Sequence, residues 1–500
     1  MNGLSGYHTW LAQGFGKEES LYRCLKEQIL DGRLKQRDVL PSTREAARAL
    51  QLSRGTVITA YDRLRAEGLA LAQQGGYTLV AYSAEDRAPK EQQAPLPRLS
   101  GFGERVLALK RNEGISRDLV KHENNILDLS PQECTGLELS RETWQRWMRE
   151  AVREFAWQKK RMNPLEADES SLEAAIELHL MRHRGVEAHR SNIRVTRGSQ
   201  EAIMLLVQAL INPGERVLIE TPGYAGIRYI VESVGGIPEY YNVQDSNQLE
   251  DILSITTAKL MILTPNRQFP TGATMEWQQR SQVLRWAEEQ DALIIEDDFD
   301  SDFGLGSKRY ELLQSMDRSE RVLYVGSFSR TIHPTLRLGY MVIPSRLVPI
   351  IDAIRGVYHR YEAIPMEERA LALFMRSGAY ERHLCRIRRI ISQRAPLYSE
   401  RLSQAIGSLM EWKPDHIALH IYAEWKGSPS SYAAFKQLAL SHGVSWKDGS
   451  IYEHLSCDHK LEPTMPFRPS ALFGLAHMNQ AEWELGCQRL RLAAQSMSSF

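Results

Sequence analysis

The run Leu293-Ile-Ile-Glu296, which continues into Asp297-Asp298, is the stretch from which the fold of most of this chain follows. It is a short apolar segment that ends in carboxylates, a pattern typical of a strand buried on both faces of a sheet. Similar runs alternate with longer segments of helical periodicity: Ile193-Arg-Val-Thr196, Arg216-Val-Leu-Ile-Glu220, Leu260-Met-Ile-Leu-Thr264 and Val322-Leu-Tyr-Val-Gly326. This alternation predicts a mostly parallel α/β sheet covered by helices on both faces.

The residues that follow these predicted strands are polar or rich in glycine and proline. In open α/β sheets a ligand binds in the crevice beyond the carboxyl ends of the strands. We therefore expect one binding cleft, formed by the segments Gly198-Ser199, Pro222-Gly223, Pro265-Asn266, Asp297-Asp298 and Ser327 to Arg330.

Length and composition favour a multidomain, cytoplasmic protein. The 500 residues exceed what one hydrophobic core usually serves, and a hydrophobic content of 43% is ordinary for folded chains. The 62 basic residues balance the 62 acidic ones, so the overall charge by itself predicts no nucleic-acid partner. The five scattered cysteines favour neither a disulfide framework nor a zinc site. No apolar run is long enough for a membrane span, so we expect no membrane partner.

The first 80 residues contain the pattern of two helices joined by a tight turn. Ser42 and Glu45 form a Ser-x-x-Glu capping box that starts a helix, which ends at Leu50 before the turn Gln51-Leu52. Ser53 caps the second helix, on which three apolar residues share one face: Val57, Tyr61 and Leu64. This arrangement suits a recognition helix that enters the major groove of DNA.

A hairpin is predicted directly after the second helix. The segment from Leu69 to Val80 has apolar runs on either side of Gln73-Gln-Gly75-Gly76, which reads as the turn of a wing. Residues 20–80 also hold ten lysines and arginines against six aspartates and glutamates, a local positive excess within a neutral chain. The alternative is a small helical domain with solvated arginines.

Three segments of this module closely resemble the winged helix of the GntR regulators: Leu40-Pro-Ser-Thr-Arg44, Ser53-Arg54-Gly-Thr-Val57 and Ala60-Tyr61-Asp-Arg-Leu64-Arg-Ala-Glu67-Gly68. The resemblance implies a double-stranded DNA operator as partner. It also implies that phosphates or bases are contacted by Arg44, Ser53, Arg54 and Thr56, and that the tip Gly75-Gly76 approaches the minor groove.

The order of domains resembles the MocR subfamily of GntR regulators over nearly the whole chain. We assign residues 1–80 to a winged helix-turn-helix domain (α+β) and 81–115 to a proline-containing linker. Residues 116–500 resemble an α/β fold-type I aminotransferase-like domain, which binds pyridoxal 5′-phosphate in related proteins. The resemblance implies a homodimeric transcription factor with an effector-binding domain.

Several segments resemble the cofactor site of fold-type I proteins. Thr196-Arg-Gly198-Ser199-Gln200 is similar to the phosphate-binding turn, and free N–H groups at a helix start favour an anion. Asp297 matches the carboxylate that pairs with the pyridine nitrogen, and Arg337 matches the phosphate-binding arginine. The resemblance implies a cofactor or effector pocket formed by Ser199, Gln200, Tyr224, Asp297, Phe299, Ser327, Ser329, Arg330 and Arg337.

The sequence also departs from this family pattern. Arg330 stands where the family has the lysine that forms a Schiff base, and a guanidinium offers no free amine for that bond. Phe299 replaces a tyrosine, and Leu472 replaces an arginine that binds a substrate carboxylate, for which Arg468 is a nearby substitute. Two further arginines, Arg197 and Arg267, are gained around the cleft. Either these arginines bind a small anionic ligand, or they pair internally with Asp297, Asp298 or Glu201.

The combined pattern predicts a DNA-binding regulator with a degenerate aminotransferase-like domain, and not an enzyme. We expect pyridoxal 5′-phosphate to be either absent or bound without a covalent link, and no metal. Two alternatives remain: an active pyridoxal-phosphate enzyme that carries a DNA-binding domain, and a dimerisation scaffold that binds no ligand.

Overall fold

The computed structural model of the protein describes residues 4–73, 77–82, 99–117, 126–132, 137, 139–157, 171–186, 188–300, 303, 311–358, 366–417, 419–453 and 468–497. The chain divides into two compact units, Met1–Arg98 and Leu99–Phe500. Within the described residues, every helix is too short or too polar to cross a membrane.

The N-terminal unit is a set of helices with a small antiparallel sheet. Its elements are α1 (Tyr7–Ala12), α2 (Lys17–Leu30), β1 (Val39–Leu40), α3 (Thr43–Leu50), α4 (Arg54–Ala66), β2 (Ala70–Gln73) and β3 (Tyr77–Val80). The sheet has the strand order β1-β3-β2, with both pairs antiparallel. The apolar sides of α2, α3 and α4 close one core around Leu25, Ala46 and Tyr61.

Local signals in the sequence place α3 and α4 as predicted. Ser42 and Glu45 form the expected capping box, in which each side chain accepts a hydrogen bond from the other residue's backbone N–H. Gln51 ends α3 in the left-handed region, and the Ser53 side chain then caps α4. The predicted apolar face of α4, Val57, Tyr61 and Leu64, is fully buried. The turn Gln74–Gly76 of the predicted wing lies outside the described residues.

The C-terminal unit is an α/β domain built on a seven-stranded sheet. Its first elements are α5 (Gly101–Arg117), β4 (Leu127–Asp128), α6 (Arg141–Trp157), α7 (Leu172–His183), β5 (Ile193–Thr196), α8 (Ser199–Leu210), β6 (Arg216–Thr221), α9 (Ala225–Val234), β7 (Ile237–Asn242), α10 (Ser246–Ile255), β8 (Leu260–Leu263), α11 (Trp277–Glu289), β9 (Leu293–Asp298), α12 (Leu313–Met316), β10 (Val322–Ser327) and β11 (Gly339–Val342).

The remaining elements pack partly on the large sheet, as their first two helices do, and partly in a smaller layer. They are α13 (Val348–Tyr358), α14 (Met366–Arg376), α15 (Ala379–Ile406), β12 (Met410–Glu411), β13 (His420–Trp425), α16 (Pro429–Ser441), β14 (Val444–Ser445), β15 (Lys447–Asp448), β16 (Ser470–Gly474) and α17 (Gln480–Met497). Four of the strands make an antiparallel sheet in the order β12-β13-β16-β15. Its core holds Trp425, Phe435 and Trp483.

The large sheet has the order β5-β11-β10-β9-β8-β6-β7. Its strands run parallel except β11, which is antiparallel to both neighbours, β10 and β5. The five predicted strands are present as β5, β6, β8, β9 and β10. The carboxyl ends of β6, β8, β9 and β10 therefore meet at one edge of the sheet, where the sequence predicts the cleft.

Residues 81–115 were expected to form a linker, but the second half of this segment is helical. Gly101–Arg117 form α5, and the Arg105 guanidinium donates a hydrogen bond to the Ser233 carbonyl at the end of α9, with an N–O distance of 3.0 Å. The prolines that suggested an extended segment all precede residue 98, so nothing after them interrupts a helix. Residues 83–98 lie outside the described part of the chain.

Candidate functional site

Two recesses at the carboxyl edge of the large sheet share Phe269 as a lining residue. The first encloses about 270 Å³, including space open to solvent, and is lined in part by Glu220, Tyr224 and Thr264. The second encloses about 390 Å³ and is lined in part by Phe299, Asp300, Arg330 and His420. Three of the predicted pocket residues, Tyr224, Phe299 and Arg330, thus line these recesses.

Buried carboxyl groups dominate the electrostatics of this region. Burial, reinforced by Asp298, Glu220 and Asp300, raises the pKa of Asp297 to about 8. Burial also raises the pKa of Glu220 and of Glu296 to about 7. The Oδ1 atom of Asp297 is buried and accepts no hydrogen bond from any described residue. A cationic or protonated ring nitrogen would therefore find an acceptor here.

Asp298 lies beside Asp297 but already has several partners. Its carboxylate accepts hydrogen bonds from the Arg184 guanidinium and the Tyr324 hydroxyl, and from Asn266 Nδ2 at 3.2 Å. These donors satisfy a buried charge whose desolvation would otherwise be costly. Asp298 is thus a structural anchor between α7 and the sheet, whereas Asp297 keeps an acceptor available.

Two of the three gained arginines lie near Asp300. Arg267 Nε is 3.8 Å from Asp300 Oδ1, and its Nη1 donates to the His416 carbonyl at 3.0 Å. Arg330 Nη1 donates to the Gln132 carbonyl at 3.1 Å. Burial raises the pKa of Asp300 to about 7, although Arg267 and Arg330 oppose that rise. Neither oxygen of Asp300 has a hydrogen-bond partner among the described residues.

One alternative left open by the sequence was that these arginines pair internally with Asp297, Asp298 or Glu201. The described structure shows a different pairing. Arg267 approaches Asp300, and neither Asp297 nor Asp298 pairs with it in the described structure. Arg197 is exposed, and only its backbone N–H meets Glu201. The sequence offered no way to choose Asp300, because Asp297 and Asp298 end β9 and Asp300 follows only two residues later.

Neither the residue placed at the carboxylate-binding arginine, Leu472, nor its suggested substitute, Arg468, lies in the cleft. Arg468 forms an ion pair with Glu411 at 2.6 Å and is exposed. Leu472 is fully buried in β16, opposite Tyr422 and Lys447. Neither Arg468 nor Leu472 is among the described residues that line the two recesses. Arg468 therefore lines neither recess, contrary to the expectation that it substitutes for the missing arginine.

The predicted phosphate turn has the local geometry of an anion site. Gly198 has a φ of 85° and precedes Ser199, the first residue of α8. A Cβ atom on Gly198 would lie 3.9 Å from the Arg337 guanidinium, so this side chain covers the start of the helix. Arg337 is exposed and forms no ion pair within the described residues. The helix start and the guanidinium together favour a phosphate or carboxylate.

The other predicted pocket residues lie around this turn. The Tyr224 hydroxyl is 3.5 Å from Gln200 Oε1, and the Tyr224 side chain is half exposed. The Ser329 N–H donates to Ser327 Oγ at 3.2 Å in the loop that leads to Arg330. The first contact links the start of α9 to the start of α8, and the second is local to the loop beyond β10.

Aromatic residues form a wall that the sequence did not reveal. Phe269 makes edge-to-face contacts with Tyr224, Phe299 and His420, with ring centroids 5.7–6.2 Å apart. His420 Nε2 donates to the Pro270 carbonyl at 2.7 Å, and burial lowers the pKa of His420 to about 4. His420 is therefore a neutral wall residue and adds no charge to the cleft. It comes from β13, about 150 residues away in the chain, and no pattern near it signals this role.

The predicted DNA-contacting residues cluster at the turn between α3 and α4. Arg44 and Arg54 are exposed, and Arg54 Nε donates to Thr43 Oγ1 at 3.2 Å. The Ser53 and Thr56 hydroxyls are hydrogen bonded to each other at 2.7 Å, at the start of α4. Short polar and arginine side chains thus surround the N-terminus of the second helix. Gly75 and Gly76 lie outside the described residues.

Five of the eleven basic residues in this module are already paired with acidic ones. Arg63 meets Glu18 and Glu19, and Lys26 meets Glu67. The ion-paired set is Arg23, Lys26, Arg33, Arg63 and Arg65. Within the described residues no ion pair involves the other six: Lys17, Lys35, Arg37, Arg44, Arg48 and Arg54. Apart from Lys17, this unpaired positive charge lies on α3, the start of α4 and the β1 side.

Two family comparisons match the two units. Residues 17–80 match the gntR family of bacterial regulatory proteins, and residues 124–461 match the family of class I and II aminotransferases. A probable rhizopine catabolism regulatory protein, MocR, from Rhizobium meliloti is 32% identical over 382 residues, which cover 76% of this chain and 75% of that protein. The chain belongs to the MocR subfamily of GntR regulators.

Other members of the subfamily show similar coverage. The transcriptional regulator TauR of Rhodobacter capsulatus is 30% identical over 74% of this chain and 76% of its own length. The pyridoxine biosynthesis regulator PdxR of Corynebacterium glutamicum is 28% identical over 76% of this chain and 77% of its own. The winged helix of this MocR-type chain is thus a DNA-binding module.

Solved structures confirm the fold of the C-terminal unit. A kynurenine aminotransferase from Pyrococcus horikoshii superposes with a TM-score of 0.65 at 19% identity, covering 82% of this chain and 98% of that one. The α-aminoadipate aminotransferase LysN of Thermus thermophilus gives the same score and identity, covering 80% and 98%. The MocR-type regulator therefore carries a fold-type I aminotransferase domain.

Proposed function

We propose that this MocR-type regulator has lost transamination and uses its aminotransferase-like cleft to bind a small anionic ligand without a covalent bond. The feature that supports this most is Arg330, which the sequence resemblance aligns with the Schiff-base lysine of related proteins. Its guanidinium lines the cleft and donates to the Gln132 carbonyl. Among the described residues that line the two recesses, none is a lysine.

The chemistry of arginine supports a non-catalytic cleft. A guanidinium stays protonated at physiological pH and presents only N–H donors, so it cannot form an imine or shuttle a proton as lysine does. It is well suited to bind carboxylate or phosphate oxygens through two parallel hydrogen bonds. An arginine in place of the lysine thus removes the covalent chemistry and also supplies a group that binds an anion.

The cleft retains groups that fit pyridoxal phosphate as a noncovalent ligand. The unpartnered Oδ1 of Asp297 suits a protonated ring nitrogen, while Arg337 and the start of α8 at Ser199 suit its phosphate. When bound, this cofactor supplies an electron-withdrawing ring. Phe299 offers no hydroxyl for the ring oxygen, and Arg330 offers no amine for the aldehyde. The residues therefore fit reversible retention of the cofactor, and not its attachment.

An anionic effector is the alternative occupant of the same cleft. Arg330 and Arg267 bring two positive charges, and because burial raises the pKa of Asp300 to about 7, this nearby carboxyl is partly protonated, and so only partly charged, near neutral pH. The net positive charge of these three side chains allows the second recess to accept a carboxylate or phosphate. If the cleft bound nothing, the domain would be only a dimerisation scaffold. A working enzyme would require a lysine amine, which the described residues that line the two recesses do not offer.

Borohydride trapping tests the loss of covalent chemistry. Purified protein is mixed with pyridoxal phosphate, reduced with borohydride, and its intact mass is measured. We expect no specific adduct on the wild type, a single adduct on Arg330→Lys, and none on the matched control Arg197→Lys, which makes the same exchange at an exposed site. A specific adduct on the wild type would overturn the proposal.

Thermal shift across a panel of phosphates and dicarboxylates tests the ligand. We expect at least one anion to raise the melting temperature of the wild type, and Arg267→Ala to reduce that shift. A flat response to the whole panel, with pyridoxal phosphate included, would reject ligand binding and favour the scaffold.

We further propose that the regulator acts as a homodimer on two operator half-sites. The subfamily relationship and the exposed residues Arg44, Ser53 and Arg54 support this. Two-fold symmetry of a dimer predicts two repeats of the recognised sequence. Sedimentation gives the oligomeric state, and DNA footprinting gives the number of half-sites; a monomer that protects a single half-site would contradict this.

A further inference from the structure

Two histidines and a glutamate meet outside the cleft, between α7 and α15. His179 and His183 lie one turn apart on α7, so their side chains point to the same side of the helix. Glu381 belongs to the first turn of α15. One ligand atom from each of the three residues lies within 4.8 Å of the others.

The surroundings hold these side chains in place. His179 is buried, and its ring packs against those of His183 and Tyr380, with centroids 5.1 and 5.3 Å apart. His179 Nδ1 is 3.8 Å from Glu381 Oε1, which is longer than a hydrogen bond. The second oxygen, Oε2, is buried and has no hydrogen-bond partner among the described residues.

We propose that His179, His183 and Glu381 bind a divalent transition-metal ion, with Zn²⁺ as the preferred ion. Two imidazoles and one carboxylate form a common three-ligand set for zinc, and the pair of histidines spaced by four residues on a helix presents both rings to one ion. A fourth position remains for water or another ligand. Hard cations such as Mg²⁺ prefer all-oxygen sites and are poorly matched to two imidazoles.

Metal binding would require the three ligand atoms to move closer together. Ligand atoms around a tetrahedral zinc with bonds of 2.0–2.1 Å lie about 3.3 Å apart. The three atoms here lie within 4.8 Å of one another. The competing interpretation is a simple histidine–carboxylate ion pair between His179 and Glu381, with no metal ion.

The metal site would touch two segments that border the cleft. Arg184 follows His183 directly and binds the buried carboxylate of Asp298. Tyr380 precedes Glu381, and its hydroxyl is 3.2 Å from Thr331 Oγ1, next to Arg330. An ion at this site would therefore restrain both α7 and α15 where each one contacts the cleft.

Zinc binding to the full-length, chelator-treated protein tests the proposal. Binding of Zn²⁺ alone is measured by competition with a chromophoric chelator, and retained metal is measured by mass spectrometry after dialysis. The variants are His183→Ala and Glu381→Gln, and the matched control is His8→Ala, which removes an exposed imidazole in the N-terminal unit. Circular dichroism establishes that each variant is folded.

We expect wild type and His8→Ala to retain one zinc ion per chain at this site. His183→Ala and Glu381→Gln should bind it at least roughly tenfold more weakly, since each loses one ligand. Co²⁺ in place of Zn²⁺ should give the visible absorption of a tetrahedral site in the wild type, and that band should disappear in both variants. Zinc affinity and Co²⁺ absorption that are the same in wild type, His183→Ala and Glu381→Gln would overturn the proposal, as would a wild type that binds no zinc.

Discussion

Replacement of Asp297 by asparagine should stabilise the protein increasingly as the pH rises. Burial, with the charges of Asp298 and Glu220 nearby, raises the pKa of this carboxyl from 3.8 to about 8. Between these two values the folded protein holds the proton that the unfolded chain has already released. The folded state then binds more protons than the unfolded state, so the free energy of unfolding falls as the pH increases. Asparagine has a similar shape and no proton to lose.

The size of the effect follows from the width of the pH range between the pKa of this carboxyl in the unfolded chain and its pKa in the folded protein. One such group lowers the free energy of unfolding by at most about 1.4 kcal/mol per pH unit. Between about pH 6 and pH 8 the loss amounts to about 2 kcal/mol, because the folded carboxyl itself begins to ionise near the upper limit. In a domain of this size, that is roughly 2–4 °C in melting temperature.

Differential scanning fluorimetry over a range of pH values measures this difference. The melting temperature of Asp297→Asn minus that of the wild type should grow from about pH 6 to about pH 8. The control is Asp251→Asn, which changes an exposed aspartate on α10 and should follow the wild type. A difference for Asp297→Asn that is constant, or that shrinks as the pH rises, would refute the reasoning.

Two further predictions concern the winged helix. Ser42→Ala removes the oxygen that accepts from the Glu45 N–H, so the start of α3 should lose about 1 kcal/mol and its amides should exchange about fivefold faster by hydrogen–deuterium exchange mass spectrometry; unchanged exchange would contradict this. Arg54→Ala should reduce the slope of log affinity for operator DNA against log salt by about 1, measured by fluorescence anisotropy. Arg65→Ala, which removes an arginine paired with Asp62, should leave that slope unchanged, and equal effects of the two variants would disprove the assignment.

Most of the fold could be predicted because its signals are local. Four of the five predicted strands, β6, β8, β9 and β10, lie inside the sheet and are largely apolar runs, and the capping box of Ser42 and Glu45 marks the start of α3. Two strands of the large sheet were missed. The edge strand β7 has a mixed sequence with Pro238, and β11 is a four-residue strand that begins at Gly339, shortly after the loop with Arg330 and Arg337. Both owe their strand geometry to pairing with neighbours, which a local pattern does not reveal.

The candidate site was less predictable than the fold. Asp297 and Arg330 could be placed because each belongs to a motif at a strand end. The partner of Arg267 could not, since the choice of Asp300 depends on how the loop after β9 turns. Phe269 and His420 line the cleft from segments about 150 residues apart, and only tertiary structure brings them together. The three-residue cluster of His179, His183 and Glu381 was missed for the same reason.

The ion pairs of the winged helix limit how strongly it can hold DNA of arbitrary sequence. Five of its basic residues are neutralised by acidic neighbours, which leaves Lys17, Lys35, Arg37, Arg44, Arg48 and Arg54 to displace counterions from the phosphates. At about 0.9 per phosphate contact, the salt exponent for one winged helix should not exceed roughly 5–6. Such a module leaves unrelated DNA quickly at physiological salt. Its search for an operator would therefore consist of many brief encounters, and residence time would depend on base contacts and, in the homodimer proposed above, on two winged helices binding together.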